Sequence, residues 1–545
     1  MTVMKNNNYN NGTVNFGGNK SGGGKGYFYV TTPIYYVNDK PHVGHAYSTV
    51  IADSIARFKR LSGYNVFFLT GTDEHGLKVE KEANSRGITP KELADSVHIK
   101  FKELFAELNI SYDRFIRTTD ADHVKTVRIV FEKLLENGDI YLSEYEGWYC
   151  TNCETFLTEK SLTEGGGCPQ CGRQASKVKE ESYFLKLDKY EKKLLDYIEN
   201  NPDFIKPEFR KNEVLSFINE GLKNLSISRT SFKWGIQVPG NEKHVIYVWF
   251  DALLNYLTGL GYEDFLDGQN QDFYRFFKSV NHIVGKDILK FHAVYWPIML
   301  FALGLEPPKT IIAHGWWLMD GKKMSKSLGN VVDPVSLIKK FGPDALRFYL
   351  LSEITLGLDG DFNIDNFVVR YNSALANDLG NLVSRTAAML NKYTAGKISG
   401  CGVLEDVAVL KTAYDILNGL SGRYDDYDFA KILEDIFRFI NILNKYINDS
   451  APWKLNIEDP EEKINLLKIL KTVAMSIYCV SYMIYPFMPE TSNKINNILN
   501  IKPFNLPGFS ARPEDMKDNC EKLFKDEFCI IEKTEMLFPR IKLEE

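Results

Sequence analysis

Near the start of the chain the apolar positions follow two different periods. Tyr27 to Thr32 (YFYVTT) is a continuous apolar run that predicts a buried strand. A turn containing Pro and Gly follows, TPIYYVNDKPHVGH, and then a helical stripe through Val50, Ile51, Ile55 and Phe58. A second apolar run, Asn65 to Thr70 (NVFFLT), comes after Gly63. This succession is a strand–helix–strand unit of the kind that builds parallel sheets. Ligands of such sheets lie at the carboxyl ends of strands and phosphates favour helix N-termini, the place taken by His42, Gly44 and His45.

From 141 to 239 the texture changes to short segments, paired cysteines and a charged stretch around Lys177 to Glu199, which reads as an insertion. Strand-like runs return at His244 to Phe250 (HVIYVWF), Asn281 to Asp287 (NHIVGKD) and Thr310 to Trp316 (TIIAHGW), so the parallel sheet is expected to resume and to be split by the insertion. Beyond Asn372 the pattern is helical. Phe429, Ile432, Ile436, Ile440, Leu443 and Ile447 recur at three- and four-residue steps, and Pro452 should stop that helix. The expected division is therefore 1–26 as a tail, 27–140 and 240–313 as two halves of a parallel-sheet domain, 141–239 as the insertion, 314–371 as a linker and 372–545 as an α-helical domain.

Composition bounds this picture. At 545 residues the chain is too long for one core, and roughly 150 residues per domain gives about three or four units. Apolar residues at 44% and charged residues at 25% are those of an ordinary soluble protein. No apolar run of about 18 residues offers a membrane span, and the N-terminus has no basic segment followed by an apolar one, so cytoplasm is the default. Residues 1–26 are rich in Asn and Gly with few large apolar groups, which predicts disorder. A net charge of −5 gives no global attraction for nucleic acid, so RNA would need a local surface.

The candidate chemistry is concentrated in a few segments. Cys150, Cys153, Cys168 and Cys171 form C-x2-C-x14-C-x2-C, a spacing in which four thiolates close a tetrahedral shell around zinc and leave no position for catalysis; a reactive disulfide pair is the alternative. Cys401, Cys479, Cys520 and Cys529 are scattered and read as buried thiols. Pro41-His42-Val43-Gly44-His45 sets two imidazoles at a helix mouth, able to bind a triphosphate or merely to cap a turn. Lys323-Met324-Ser325-Lys326-Ser327, after Gly321, reads as a loop whose lysines neutralise charge on a departing pyrophosphate, although a bland surface loop has the same look. Pro33, Ile34, Tyr36, Trp249, Ala252, Tyr256, Ile288 and His292 offer an apolar, aromatic lining suited to a flexible thioether, or else plain core packing.

Together the two signatures resemble the HIGH and KMSKS motifs of the class I aminoacyl-tRNA synthetases, with Val43 standing where the first has isoleucine. TTPIYYVNDKPHVGHAY, FFLTGTDEHG, YVWFDALLNY, HIVGKDILKFH, KMSKSLGN, NDLGNLVSR and INDSAPWK are similar to the methionyl-tRNA synthetases in particular, a likeness running from Tyr27 to LFPRI. The resemblance implies a Rossmann-type catalytic domain split by a zinc-containing connective insertion and followed by a KMSKS-loop linker and an all-α anticodon-binding domain. It implies activation of L-methionine by Mg-ATP and its transfer to tRNA(Met). His42, His45, Lys323 and Lys326 would be catalytic, with His42, Gly44, His45, Gly285, Asp287 and Lys326 on ATP. Asp287 would meet the ribose hydroxyls, although it could equally cap a helix. Asp73 would hold the methionine ammonium beside the lining residues named above. Asn381, Arg385 and Trp453 would read the CAU anticodon by hydrogen bonds and stacking, although Trp453 alone reads as a core residue. One structural zinc is expected, and a monomer, since the chain ends soon after LFPRI. The competing readings are a cysteinyl or valyl synthetase, a catalytically idle RNA-binding relative, and a nucleotidyltransferase acting on a small molecule.

Overall fold

The computed structural model describes residues 25–150, 155–157, 159–169, 171–324, 330–398, 408–504, 512–525, 528–529 and 536–542. The expectations for Cys153, Lys326, Cys401 and residues 1–24 of the tail lie outside these.

Six strands form one sheet: β1 (Tyr27–Tyr36), β2 (Asn65–Asp73), β3 (Arg114–Arg117), β4 (Ile205–Lys206), β5 (Val280–Gly285) and β6 (Thr310–His314). Their order is β3-β2-β1-β5-β6-β4 and every pairing is parallel. The chain runs outward from β1 in one direction and from β5 in the other, so a topological switch point falls between them, and it is in the crevice beyond the strand ends at such a point that sheets of this kind bind their ligands. Helix α1 (Val43–Leu61) connects β1 to β2. Its predicted stripe through Val50, Ile51, Ile55 and Phe58 is buried at 1% exposure or less.

Two features of the sheet depart from expectation. The run His244 to Phe250 is not one strand of the parallel sheet. Asn241–Ile246 is antiparallel in a separate three-stranded sheet with Gln237–Val238 and Ser228–Arg229, and Val248–Leu253 is already helical. A short apolar run has no period that separates a strand from a buried helix. The stretch expected as an insertion builds an antiparallel sheet from Ile140–Cys150, Thr155–Leu157, Ser176–Leu185 and Leu225–Ser226, yet between the last two the chain returns to the main sheet and adds β4 beside β6.

After β6, Trp317–Met319, Lys322–Lys323 and Gly360–Asp361 form a small sheet. The helical region follows, with Tyr371–Gly380 wound as a π-helix, then Asn381–Thr394, Ala408–Asp425, Phe429–Ser450 and Pro460–Ile484. All six predicted stripe residues of Phe429–Ser450 are buried. The helix stops at Ala451, whose φ is +40°, one residue before Pro452. Pro460–Ile484 is long and apolar enough to cross a membrane, but most of it is buried among its neighbours, as in a core helix. The region is not wholly helical, since Lys397–Ile398 pairs with Phe528–Cys529.

A buried ion cluster ties these parts together. Asp53 of α1, fully buried, accepts from Arg57 Nε at 2.7 Å and pairs with Arg347 Nη2 at 2.7 Å. Arg347 donates onward to the carbonyls of Phe487 (2.7 Å) and Pro486 (2.8 Å), and Arg57 to Tyr485 Oη (3.1 Å). Burial alone would raise the Asp53 carboxyl, but Arg57 and Arg347 hold it down at about 2. Asp53→Asn would leave two guanidinium groups without their counter-charge. The expected cost is about 3–5 kcal/mol in denaturant-unfolding free energy, and a cost within error of zero would refute this account.

Candidate active site and anticodon face

The carboxyl ends of β1 and β5 and the start of α1 meet at the switch point. His42 is the N-cap of α1, with Nδ1 accepting from Gly44 N–H at 3.0 Å, while His42 N–H donates to His45 Nδ1 at 3.1 Å. This is a capping box built from imidazoles. Both the capping and the anion-binding readings are therefore open to the same residues, because using Nδ1 as acceptor leaves the ring proton on Nε2. The rings lie 3.8 Å apart. Burial, then the nearby Lys323 ammonium, push His42 down to about 4. Burial, then His42, push His45 well below its ordinary value. Two neutral N–H donors at a helix N-terminus result. Gly44 serves this arrangement directly, since a Cβ there would stand 2.9 Å from His42 Cε1.

Across the crevice, Gly285 ends β5 and caps the short helix Lys286–Ile288, of which Asp287 is the middle residue. Asp287 Oδ1 accepts from Trp316 Nε1 at 3.1 Å, and Lys323 Nζ stands 3.9 Å from Asp287 Oδ2. The structure thus brings His42, His45, Asp287 and Lys323 to one sheet end.

The predicted methionine lining also converges. Pro33, Ile34 and Tyr36 lie in β1, past a register shift after Thr31, and Asp73 pairs with Tyr36 at the end of β2. Trp249 and Ala252 share the helix Val248–Leu253, and the Tyr36 and Trp249 rings meet edge to face at 6.5 Å. His292 Nδ1 lies 3.0 Å from the Ile288 carbonyl, so it donates there and Nε2 accepts from Tyr256 Oη at 2.8 Å. His292 is pushed down to about 4 by burial first.

Several residues here escaped sequence reading. Phe291 stacks on Trp249 at 3.8 Å from a π-helical turn, Phe291–Tyr295, and π-turns have no simple sequence signal. Asp251, fully buried, accepts from His75 (2.7 Å) and His123 (2.7 Å), locking the Trp249-bearing helix to two other segments. His282 lies beneath Tyr256, ring centroids 4.1 Å apart. Ser48 of α1 hydrogen bonds His314 at the end of β6 at 2.7 Å. DEHG and WFDA stand inside recognisable segments, but only folding shows that they touch.

In the antiparallel sheet, Cys150, Cys168 and Cys171 place their sulfurs within 4.8 Å of one another, with Cys150 and Cys171 3.5 Å apart. That separation is far longer than a disulfide bond and matches neighbouring ligands on one metal with metal–sulfur bonds of about 2.3 Å. These three cysteines fit a structural metal site.

On the helical region, Arg385 Nη2 donates to Asn448 Oδ1 at 3.0 Å and its guanidinium lies 5.7 Å from the Trp453 ring centroid. Asn381 is exposed one turn earlier on the same helix. Trp453 is 46% exposed, which rules out the core reading. Asn448 was not anticipated.

The family profile described as tRNA synthetases class I (M) matches residues 28–178 and 173–387. The chain is similar to a methionine–tRNA ligase of Clostridium perfringens, 50% identical over 522 residues, covering 95% of this chain and 78% of that protein. It is 51% identical over 478 residues to that of Clostridium tetani, covering 87% of this chain and 74% of that protein. Among solved structures it matches Mycobacterium tuberculosis methionyl-tRNA synthetase in complex with methionyl-adenylate, with a TM-score of 0.87, 40% identity, and coverage of 94% of this chain and 100% of that chain. The apo, free-state form of the same protein gives a TM-score of 0.81, 38% identity, and coverage of 96% and 99%.

His42, His45, His282, His292 and His314 are all shifted down, each by burial first. Unfolding frees them to bind protons near pH 6.5, so between that value and about 4 the unfolded state holds more protons and stability is lost as the pH is lowered. The thermal midpoint should decline from pH 7 to pH 5. A midpoint flat across that interval would contradict the neutral, buried state of these rings.

Proposed function

The chain belongs to the methionyl-tRNA synthetases of class I, and we propose that the crevice between β1 and β5 is where this methionine–tRNA ligase joins methionine to ATP. The observation that carries the site assignment is the meeting of His42, His45, Asp73, Asp287 and Lys323 at the switch point beside an uncharged aromatic cluster. Asp73 holds the methionine ammonium and Pro33, Ile34, Tyr36, Trp249, Ala252, Tyr256, Ile288 and His292 take the thioether. Gly44 and Gly285 let the nucleotide approach, and Asp287 meets the ribose.

The methionine carboxylate attacks the α-phosphorus of ATP, the bond to the bridging oxygen breaks, and pyrophosphate leaves with its Mg2+. The Nε2–H groups of His42 and His45 hold the phosphates as neutral donors, and Lys323 and Lys326 stabilise the charge that builds in the transition state. No covalent enzyme intermediate is needed. The terminal adenosine hydroxyl of tRNA(Met) then attacks the methionyl carbonyl, loses its proton and releases AMP. Asn381, Arg385 and Trp453 read the anticodon of the same tRNA, Trp453 by stacking and Asn381 and Arg385 by hydrogen bonds.

The reading extends to organisation. The two catalytic halves are 27–140 and 240–313, the connective insertion 141–239, which returns β4 to the edge of the catalytic sheet, the linker 314–371 and the anticodon domain 372–545. The enzyme acts as a cytoplasmic monomer with no membrane partner. Cys150, Cys153, Cys168 and Cys171 hold one Zn2+, which supplies cross-linking of the insertion and no chemistry in the reaction.

ATP–pyrophosphate exchange with each of the twenty amino acids should be stimulated mainly by methionine; stimulation by another amino acid moves the substrate, and none at all favours an idle RNA-binding relative. Lys326→Ala should depress exchange far more than methionine binding, and an unchanged exchange rate would remove Lys326 from catalysis. Metal analysis should find about one zinc per chain, lost in Cys168→Ser while methionine-dependent exchange persists. A zinc-free purified enzyme would overturn the cofactor assignment.

A further inference from the structure

Trp316 stands where the sheet hands over to the linker, and its polar atoms and its ring face are all engaged. Its backbone N–H donates to Asp359 Oδ1 at 2.8 Å, and Asp359 Oδ2 accepts from Lys286 Nζ at 2.6 Å. Its carbonyl accepts from Gly360 N–H at 2.9 Å. Its indole N–H donates to Asp287 Oδ1 at 3.1 Å. The ring carries the Lys323 ammonium 3.7 Å from its centroid and that of Lys286 at 4.3 Å. The turn allows no other course, because a Cβ on Gly315 would lie 2.0 Å from the Leu358 carbonyl oxygen. Lys323 itself is presented by the hairpin in which it pairs with Leu318, directly after Trp316 and Trp317.

These contacts connect two groups whose roles are otherwise separate, the ribose carboxylate and a phosphate lysine. An indole face holds an ammonium by its quadrupole, weakly enough at a half-exposed site for a triphosphate to take the cation away. The N–H on the ring edge meanwhile fixes one oxygen of Asp287 and leaves the other toward Lys323.

We propose that Trp316 is a positioning residue for adenylate formation: its ring keeps Lys323 at the nucleotide site before ATP arrives, and its indole N–H orients Asp287 for the ribose. This rests on the assignment of Asp287 and Lys323 given above. The two contributions come apart by substitution, because Phe keeps a ring face without the N–H and Leu keeps neither.

Methionine-dependent ATP–pyrophosphate exchange on the full chain reads both. Trp316→Phe should raise the KM for ATP several-fold with kcat within about twofold, and Trp316→Leu should in addition lower kcat about tenfold. The KM for methionine should stay unchanged in both, which a general loosening of the site would not allow. In a Lys323→Met background, Trp316→Leu should cost no further kcat, since the cation it serves is gone. Equal kcat losses from Trp316→Leu in the two backgrounds would overturn the proposal and leave the role of Lys323 standing. A Lys323→Met enzyme with normal kcat would overturn that role and this proposal with it. A rise in the KM for methionine matching that for ATP would also overturn it.

Discussion

The buried carboxylate of Asp53 is the constraint on which the arrangement depends. It sits in the middle of α1, so the helix capped by His42 is the same one bolted through Arg347 to the carbonyls of Pro486 and Phe487. An isolated charge there would be intolerable, and two guanidinium groups with carbonyl and hydroxyl acceptors close the network. Because no partner can leave without stranding another, the orientation of α1 against the helical region is determined to within the play of a few hydrogen bonds. Phe58, stacked on Tyr424 at 3.8 Å, adds apolar contact at the same seam.

At the N-terminal end of α1 the same economy appears in the histidines. An aspartate would cap the helix as well, but an ionised carboxylate has no donor and its charge repels an anion. An imidazole has a second nitrogen. Capping through Nδ1 obliges the proton to sit on Nε2, so the structural role and the donor role are set by one hydrogen bond.

How much of this was legible depends on the range over which the information is written. Strands β1, β2, β5 and β6 are continuous apolar runs bounded by turn residues, the stripes of α1 and of Phe429–Ser450 repeat over many residues, and all could be read directly. His42, His45 and Lys323 could be suspected from a helix mouth and a lysine-rich loop, whereas roles for them and for Tyr36, Trp249 and Tyr256 came only from the resemblance of ordered segments to a family. His244–Phe250 reads as one strand because strand and helix meet inside one apolar run. The return of Ile205–Lys206 to the sheet edge is a two-residue pairing with no local signal. The Asp251 bridge to His75 and His123 spans residues far apart in sequence, and only tertiary structure brings them together. Trp316 was available as a letter in TIIAHGW, but nothing there tells that it would meet lysines from two other segments.

The division of charge at the proposed nucleotide site follows from what must be bound and what must be accelerated. Fixed cations beside the triphosphate would stabilise bound ATP and the transition state alike, and uniform binding of that kind does not raise kcat. Neutral imidazoles held by a capping box supply direction without that penalty. Positive charge is instead carried by lysines on the hairpin after β6, where Lys323 rests on an indole and near a carboxylate rather than deep in the site. A cation held this loosely can be drawn in as negative charge accumulates on the departing pyrophosphate, so its stabilisation is greatest at the point in the reaction where it lowers the barrier. In the proposed mechanism the rigid α1 and the lightly held lysine are therefore complementary requirements, the first fixing where the phosphates would lie and the second leaving the charge free to respond.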